Sequence, residues 1–174
     1  MKIYYQLTEQ DYVDFNLFHM NNSKSLKKSI LVQRLIGPLI FIMSCFIAPK
    51  ITNMPLWYWT SIMVVMSMLW FAFYPKQIER RCKKQVLKML SEGQNRSLLA
   101  KGTLLVDEKG IIKSNEYGES NLKWNTINKI EVTNRHIFIY QNAISAIVVP
   151  LSSFGTKEEK EQFIALLKSY CTTI

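Results

Sequence analysis

Two long apolar runs interrupt an otherwise polar chain. Between residues 35 and 75 the only charged residue is Lys50. The run on each side of it approaches the roughly 20 residues that a helix needs to cross the hydrocarbon core of a bilayer. The pattern therefore predicts two transmembrane helices, at about 30–49 and 55–74, joined by a short loop.

Residues suited to a membrane interface lie at the ends of the two predicted spans. Aromatic residues occur at Trp57–Trp59 and again at Trp70–Tyr74, which is typical of the aromatic belts at bilayer surfaces. Pro49 and Pro75 are expected to end the helices, because proline lacks the backbone N–H that a helix needs. Arg34 precedes the first uncharged run, where its guanidinium can extend to the interface.

Basic residues flank the apolar region rather than covering a separate domain. The formal net charge is +9. Residues 24–34 contain four basic and no acidic residues, and residues 76–96 contain seven basic and two acidic ones, whereas residues 97–174 contain nine and eight. A nucleic-acid-binding domain would need a basic face of its own, so we expect no nucleic-acid partner. Because cytoplasmic flanks of spanning helices are enriched in Lys and Arg, we expect a two-span protein of the cell membrane with both termini cytoplasmic.

The N-terminal segment, 1–29, is predicted to contain a short strand and an amphipathic helix. Ile3–Leu7 favours extended structure, and Thr8 is placed to cap the following helix. Aromatic residues then recur at helical spacing, a pattern that usually packs against a neighbouring surface. Whether Ile3–Leu7 joins a sheet formed by the C-terminal part stays open.

Residues 76–96 are predicted to form a juxtamembrane helix and a linker. One side of this helix is apolar and the other is basic. Six cations next to a bilayer can bind anionic lipid, at about 1 kcal/mol each. The candidate membrane-binding residues are Lys76, Arg80, Arg81, Lys83, Lys84 and Lys88.

Residues 97–174 alternate short strand patterns with turns and end in one helix. Strand patterns every 8–12 residues predict a small antiparallel sheet that curls or closes. Thr156 and Glu159 have the spacing of a capping box, so the last helix begins there and covers the sheet. We expect a membrane α-helical hairpin plus an α+β cytoplasmic domain. The predicted strands are Ser97–Val106, Ile111–Asn115, Ser120–Trp124, Ile130–Thr133, Ile137–Gln141 and Ala143–Val149. The residues expected to matter most for this fold are Trp124, Pro150, Phe154 and Phe163.

The chain contains few residues arranged for chemistry. His19 and His136 stand apart from any metal-binding spacing, and His136 is expected to be a solvated turn residue. The three cysteines, at 45, 82 and 171, show no C-x-x-C spacing and predict neither a disulfide framework nor a metal site. We therefore expect no catalytic residues, no metal and no cofactor.

Several segments together resemble a bacterial membrane-protein family. They are YYQLTEQDYVDFNLFHM at 4–20, the two spans, Trp124, AIVVP at 146–150, and Phe154 with the capped helix. In these the chain resembles the YcxB-like proteins, and its C-terminal part resembles a pleckstrin-homology-like (PH-like) domain. The resemblance implies a membrane-anchored protein with no enzymatic residues to carry over. PH-like domains bind lipids or peptides, but the first hairpin loop here, Asp107–Gly110, has two acids and one lysine, which argues against phosphoinositide binding.

These features favour a membrane-anchored, cytoplasm-facing interaction module that binds a protein partner or the inner-leaflet surface. The expected partners are the bilayer, anionic lipid, and a membrane protein or a second copy of the chain. Two alternatives stay open: immunity against a membrane-active peptide or secreted toxin, and an accessory subunit of a membrane complex or transporter. Both rest on analogy rather than on particular residues.

Overall fold

The computed structural model of the protein describes residues 1–52 and 54–171. The last three residues of the predicted domain 97–174 lie outside this described part. The chain forms two compact units. Leu17–Lys84 is called the hairpin unit, and Met1–Asn16 together with Gln85–Ile174 is called the sheet unit.

Three helices form the first half of the chain. Helix α1 spans Glu9–Asn22, α2 spans Lys24–Ile51 and α3 spans Leu56–Ser91. The Thr8 side chain accepts a hydrogen bond from the Asp11 backbone N–H at 3.3 Å, which caps the start of α1 as expected. Helices α2 and α3 are each long and apolar enough to cross a membrane, with mean hydropathies of 2.1 and 1.5 in their most apolar windows.

The two proline positions expected to end the spans lie inside helices instead. Helix α2 continues through Pro49 to Ile51, and α3 continues through Pro75 to Ser91. Proline in a helix leaves the carbonyl four residues earlier without its amide partner. For Pro75 that carbonyl belongs to Phe71, and the Arg34 guanidinium donates two hydrogen bonds to it, from Nε at 3.0 Å and Nη2 at 2.7 Å. The helix therefore continues because a side chain replaces the lost bond.

Two antiparallel sheets form the sheet unit. The strands of the first, in spatial order, are β1 (Lys2–Tyr5), β2 (Gly102–Asp107), β3 (Gly110–Asn115) and β4 (Gly118–Leu122). Those of the second are β5 (Lys129–Val132), β6 (His136–Tyr140) and β7 (Ala146–Pro150). Strand β1 pairs with β2, with Ile3 opposite Leu104, so the N-terminal strand does join the C-terminal sheet.

The last helix, α4, spans Lys157–Cys171 and begins as its capping pattern predicts. The Glu159 backbone N–H donates to Thr156 Oγ1 at 3.1 Å, and the Glu159 carboxylate accepts from the Gly155 N–H at 2.9 Å. Phe163 and Leu167 on this helix are fully buried. Two long apolar helices, antiparallel sheets and a C-terminal helix confirm the predicted fold class, and the open sheets are consistent with a PH-like domain.

Strand β2 begins five residues later than the pattern predicts. Residues Gly93–Leu99 form 3-10 turns instead. Side chains from elsewhere in the sheet unit take the backbone carbonyls there: Asn115 Nδ2 donates to the carbonyl of residue 97 at 3.2 Å, and Tyr12 Oη donates to that of residue 98 at 3.4 Å. Those carbonyls are then not free for a β-ladder, which explains the shorter strand.

Trp124 also lies outside its predicted strand. It begins the 3-10 turn Trp124–Thr126, after β4 has ended at Leu122. Its indole Nε1 donates to the Asp107 carbonyl at 3.0 Å, and its ring stacks on Tyr170 at 4.7 Å between centroids. These contacts hold the indole against α4 and the first hairpin, which a regular strand position would not allow.

Candidate functional site

The surface of the hairpin unit is largely apolar. In the most apolar stretch of α2 only 11 % of the residues are buried, and in the most apolar stretch of α3 no residue is buried. A core helix of a soluble protein would be mostly buried, so these helices have the exposure expected of lipid-facing ones. Large exposed side chains include Leu35, Leu39, Phe46, Val65, Met68 and Phe73.

Contacts at both ends hold α2 and α3 side by side. Near the loop, Trp59 Nε1 donates to Thr52 Oγ1 at 2.8 Å. Near the opposite end, the Tyr74 hydroxyl donates to Gln33 Oε1 at 2.8 Å, and Tyr74 is buried. The helices are therefore antiparallel, and the start of α2 lies at the same end of the hairpin as the second half of α3.

Each of two prolines in this hairpin frees a backbone carbonyl on its own helix, and a side chain of the other helix donates a hydrogen bond to that carbonyl. Pro38 leaves the Arg34 carbonyl without an amide partner, and Trp70 Nε1 donates to that oxygen at 3.2 Å. Pro75 leaves the Phe71 carbonyl free, and Arg34 occupies it through its guanidinium, which also lies 3.5 Å from the centre of the Phe71 ring. A backbone carbonyl in lipid must be satisfied inside the protein, so each helix completes the other.

A small residue makes this contact close. Gly37 is the buried residue of α2, and a Cβ added to it would overlap the Trp70 indole. Phe41 meets the same indole edge-on, at 6.4 Å between ring centroids. Small residues let membrane helices approach closely, and the bulky indole fills the space that Gly37 leaves.

Exposed cations collect at the end of the hairpin unit that holds the start of α2 and the second half of α3. Within the described residues, none of these cations forms an ion pair, and Glu79 is the acidic residue among them. The opposite end carries Lys50. This basic end consists of Lys24, Lys27, Lys28, Lys76, Arg80, Arg81, Lys83 and Lys84.

The candidate membrane-binding residues lie on one side of α3. At 100° per residue, these six residues cover an arc of about 160°, and the apolar Ile78, Cys82 and Val86 lie on the other side, whereas Leu87 falls within the basic arc. All six are exposed. Five of them belong to the hairpin unit, whereas Lys88 lies in the part of α3 that belongs to the sheet unit.

His136 differs from its expected state as a solvated turn residue. It is only 3 % exposed, and its Nε2 lies 2.7 Å from Asp11 Oδ1. The neighbouring Arg135 pairs with Asp14 at 3.2 Å. These two pairs could not be predicted from the sequence, because Asp11 and Asp14 are more than 120 residues away in the chain. The sequence does show that Asp11 and Asp14 are three residues apart and so share one face of α1. That spacing does not identify the residues with which they pair.

The surroundings of the Asp11 carboxylate lower its pKa. Burial by itself would raise its pKa, but hydrogen bonds from His136 and from the Thr8 hydroxyl and N–H favour the charged form and lower the pKa below the ordinary 3.8. Asp11 is therefore ionised at neutral pH. The pair fixes α1 on strand β6.

The four residues singled out for the fold lie inside the sheet unit or at its edge. Phe163 is fully buried and packs on Phe154 at 5.3 Å between ring centroids. Pro150 is buried at the end of β7, opposite His136. Proline is acceptable there because β7 is an edge strand of its sheet.

The described residues contain no cluster of three or more His, Cys, Asp or Glu side chains that could hold a metal ion. All three cysteines are free and partly buried. Burial raises the pKa of the Cys171 thiol, which keeps it protonated and poorly nucleophilic at neutral pH.

One family model matches the chain. Residues 106–167 match the model described as YcxB-like protein. This confirms, for that segment, the resemblance seen in the sequence, and it covers the sheets from the end of β2 onward and most of α4. No curated protein and no solved structure gives a significant match.

Proposed function

We propose that this protein is a non-catalytic, membrane-anchored interaction module that faces the cytoplasm. The match of residues 106–167 to the YcxB-like family model and the two candidate membrane helices support this proposal. The hairpin unit is the anchor. The basic end binds the anionic surface of the inner leaflet, and α3 continues from it into the sheet unit, which is the part available to a partner.

The observation that supports this proposal is the distribution of charge over the hairpin unit. Eight exposed basic residues, none of them in an ion pair with another described residue, lie at one end of an apolar hairpin, and Lys50 lies at the other. Lys and Arg close to spanning segments are retained on the cytoplasmic side. The charge asymmetry therefore favours a cytoplasmic position for the start of α2 and for the second half of α3.

The same residues are suited to bind lipid head groups. Each Lys or Arg close to an anionic leaflet contributes about 1 kcal/mol, so several acting together give a substantial attraction. Their side chains are free to make it, because within the part of the chain that the structure describes they have no acidic partner. Such an attraction weakens as ionic strength rises.

Topology is tested by fusing a reporter to each end of the full-length protein. Green fluorescent protein at either terminus should fluoresce, and alkaline phosphatase should be inactive there. Alkaline phosphatase inserted after Met54, in the short connection, should be active. Active phosphatase at the C-terminus would overturn the proposed orientation.

Lipid binding is tested by charge reversal. The full-length protein is placed in neutral nanodiscs, and its binding to phosphatidylglycerol vesicles is measured by co-flotation. The variant R80E/R81E/K83E/K84E should no longer float with these anionic vesicles. The matched control reverses Lys101, Lys109, Lys123 and Lys157, four exposed lysines of the sheet unit, with the same change in net charge. Equal retention by the two variants would refute a specific role for the basic end.

A further inference from the structure

Lys113 occupies an unusual position on strand β3. Side chains alternate between the two faces of a strand, so Lys113 lies on the same face as Ile111, which is fully buried. Its cross-strand neighbours are Leu104 on β2, also fully buried, and Ser120 on β4. A lysine on the inner face of a sheet is rare unless it is paired.

No partner neutralises this lysine within the described residues. Lys113 takes part in none of the ion pairs or side-chain hydrogen bonds there. Glu119 is near it along the sheet edge, but in register Glu119 lies opposite Ser114, on the other face. Lys113 is half-buried, and burial lowers the pKa of its ammonium group. An unpaired cation in this position destabilises the fold, so its presence needs another explanation.

The ammonium-bearing side chain lines a cavity of about 320 Å³ within the sheet unit. This volume lies in the range of small-molecule sites. Strands β3 and β4 form one wall, the connection between β6 and β7 forms another, and the start of α1 closes a third. The polar side chains on the walls are few: Lys113, Ser120, Gln141 and Ser145, besides the Tyr12 hydroxyl.

The rest of the wall is apolar. Leu7, Phe15, Leu122 and Ile147 belong to it. Ile144 also lines the cavity and is 75 % exposed, at the tip of the β6–β7 connection. That connection is an ordered turn, because the Asn142 side chain accepts hydrogen bonds from the backbone N–H groups of residues 144 and 145 at 2.9 and 2.8 Å. The turn thus presents an apolar side chain at the cavity.

We propose that this cavity is a binding site for a small amphipathic monocarboxylate. The carboxylate pairs with the Lys113 ammonium group and accepts a hydrogen bond from the Ser120 hydroxyl, and the apolar body contacts Leu122, Ile144 and Ile147. A single cation matches a single negative charge, which favours a carboxylate over a doubly charged phosphate. Binding supplies the counter-ion that Lys113 lacks among the described residues, and the hydrophobic walls select an apolar body. The site is independent of the proposed membrane role and can fail or hold separately from it.

Ligand binding is tested by calorimetric titration of the full-length protein in phosphatidylcholine nanodiscs, with empty nanodiscs as the blank. The probes are octanoate and hydrocinnamate, which separate an alkyl from an aromatic body, each compared with its neutral amide. At least one acid should bind saturably at one site per chain, and its amide should bind at least about tenfold more weakly. Absence of saturable binding by both acids, or equal binding of acid and amide, would overturn the proposal.

Three variants locate the site. Lys113→Met keeps the length and apolar stem of the side chain and should weaken acid binding at least about tenfold, whereas Lys113→Arg keeps the charge and should retain it. Lys123→Met removes an exposed lysine nearby in the chain and should bind as the wild type does. Acid binding that survives Lys113→Met unchanged would refute the assignment.

A second measurement covers the case in which a variant misfolds. Lys113 is a half-buried cation with no ion-pair partner among the described residues, so Lys113→Met should raise the midpoint of thermal unfolding. A saturating concentration of the acid should raise the midpoint of the wild type but not that of the variant. If Lys113 were only a structural residue, its replacement would lower the midpoint. That result would contradict the inference.

Discussion

The contact between Arg34 and the Phe71 carbonyl allows a strict test of the proline compensation in the hairpin unit. Arg34→Met removes two N–H···O hydrogen bonds, at 3.0 and 2.7 Å, and the contact with the Phe71 ring at 3.5 Å, but it keeps an apolar stem. The carbonyl freed by Pro75 is then left without a partner. We expect the variant to be less stable than the wild type.

The size of the effect follows from these contacts. A hydrogen bond from a charged donor contributes about 1.5–3 kcal/mol in soluble proteins, but side-chain hydrogen bonds in a membrane protein average about 0.6 kcal/mol. The cation–ring contact adds about 1 kcal/mol. Together they predict a loss of about 2 kcal/mol for Arg34→Met, about a thirtyfold change in the unfolding equilibrium.

A double-mutant cycle with Pro75→Ala identifies the cause. In the Pro75→Ala background the backbone N–H is restored and can donate to the Phe71 carbonyl, so the guanidinium is no longer needed there. Arg34→Met should then cost only about 1 kcal/mol, giving a coupling of about 1 kcal/mol. A matched cycle, Trp70→Phe with Pro38→Ala, tests the reciprocal bond and should show coupling of the same sign.

The assay is reversible unfolding of the full-length protein in mixed micelles with increasing dodecyl sulfate. Tryptophan fluorescence reports unfolding directly in the Arg34 cycle, because Trp70 lies at the contact, and loss of helical circular dichroism reports it in the Trp70→Phe cycle. Arg34→Lys is the control: it keeps the charge but cannot donate from two nitrogens to one oxygen. If Arg34→Met costs the same in both the wild-type and Pro75→Ala backgrounds, Arg34 does not compensate the proline, and the explanation of the continuous helix fails.

Three further predictions concern single contacts in the two units. Gly37→Ala should destabilise the hairpin by about 1–3 kcal/mol in the same micelle assay, because its Cβ would overlap the Trp70 indole. Unchanged stability would mean that the helices can separate there freely. Asp11→Asn should cost about 1–3 kcal/mol at neutral pH, because it breaks a buried pair with His136. Because the pKa of Asp11 is lowered from 3.8, its contribution to the stability of the wild type is complete above about pH 4 and is lost as the pH falls through the lowered pKa. In that acidic range the stability of Asp11→Asn, measured by denaturation, should depend less on pH than that of the wild type. Tyr5→Phe should raise stability by about 1 kcal/mol, because it removes a buried hydroxyl that has no hydrogen-bond partner among the described residues. Burial raises the pKa of Tyr5 from 10.0 to about 12, so the wild type should lose stability between those values, and alkaline unfolding of Tyr5→Phe should begin at higher pH.

Much of the architecture was accessible from the sequence because it depends on local patterns. The two apolar runs and the capped helix α4 follow from hydropathy and from residues at fixed spacing, and the strand patterns at 130–133 and 137–141 correspond to β5 and β6. The basic residues from Lys76 to Lys88 are visible as a charge pattern, and helical periodicity alone places them on one side of α3. Such features need no knowledge of which distant residues meet.

Tertiary structure decided what depends on contacts between distant parts of the chain. Pro75 is expected to end a helix, and only the Arg34 guanidinium on the neighbouring helix shows why it does not. His136 beside Arg135 suggests a solvated turn, and only the packing of α1 turns it into a buried pair with Asp11. In the same way, Lys113 is one lysine among many in the sequence. It lies on the inner face of a sheet, beside a cavity and with no counter-ion among the described residues. That position is set by pairing with strands whose register the sequence does not reveal, because a shift of one residue would move the side chain to the other face.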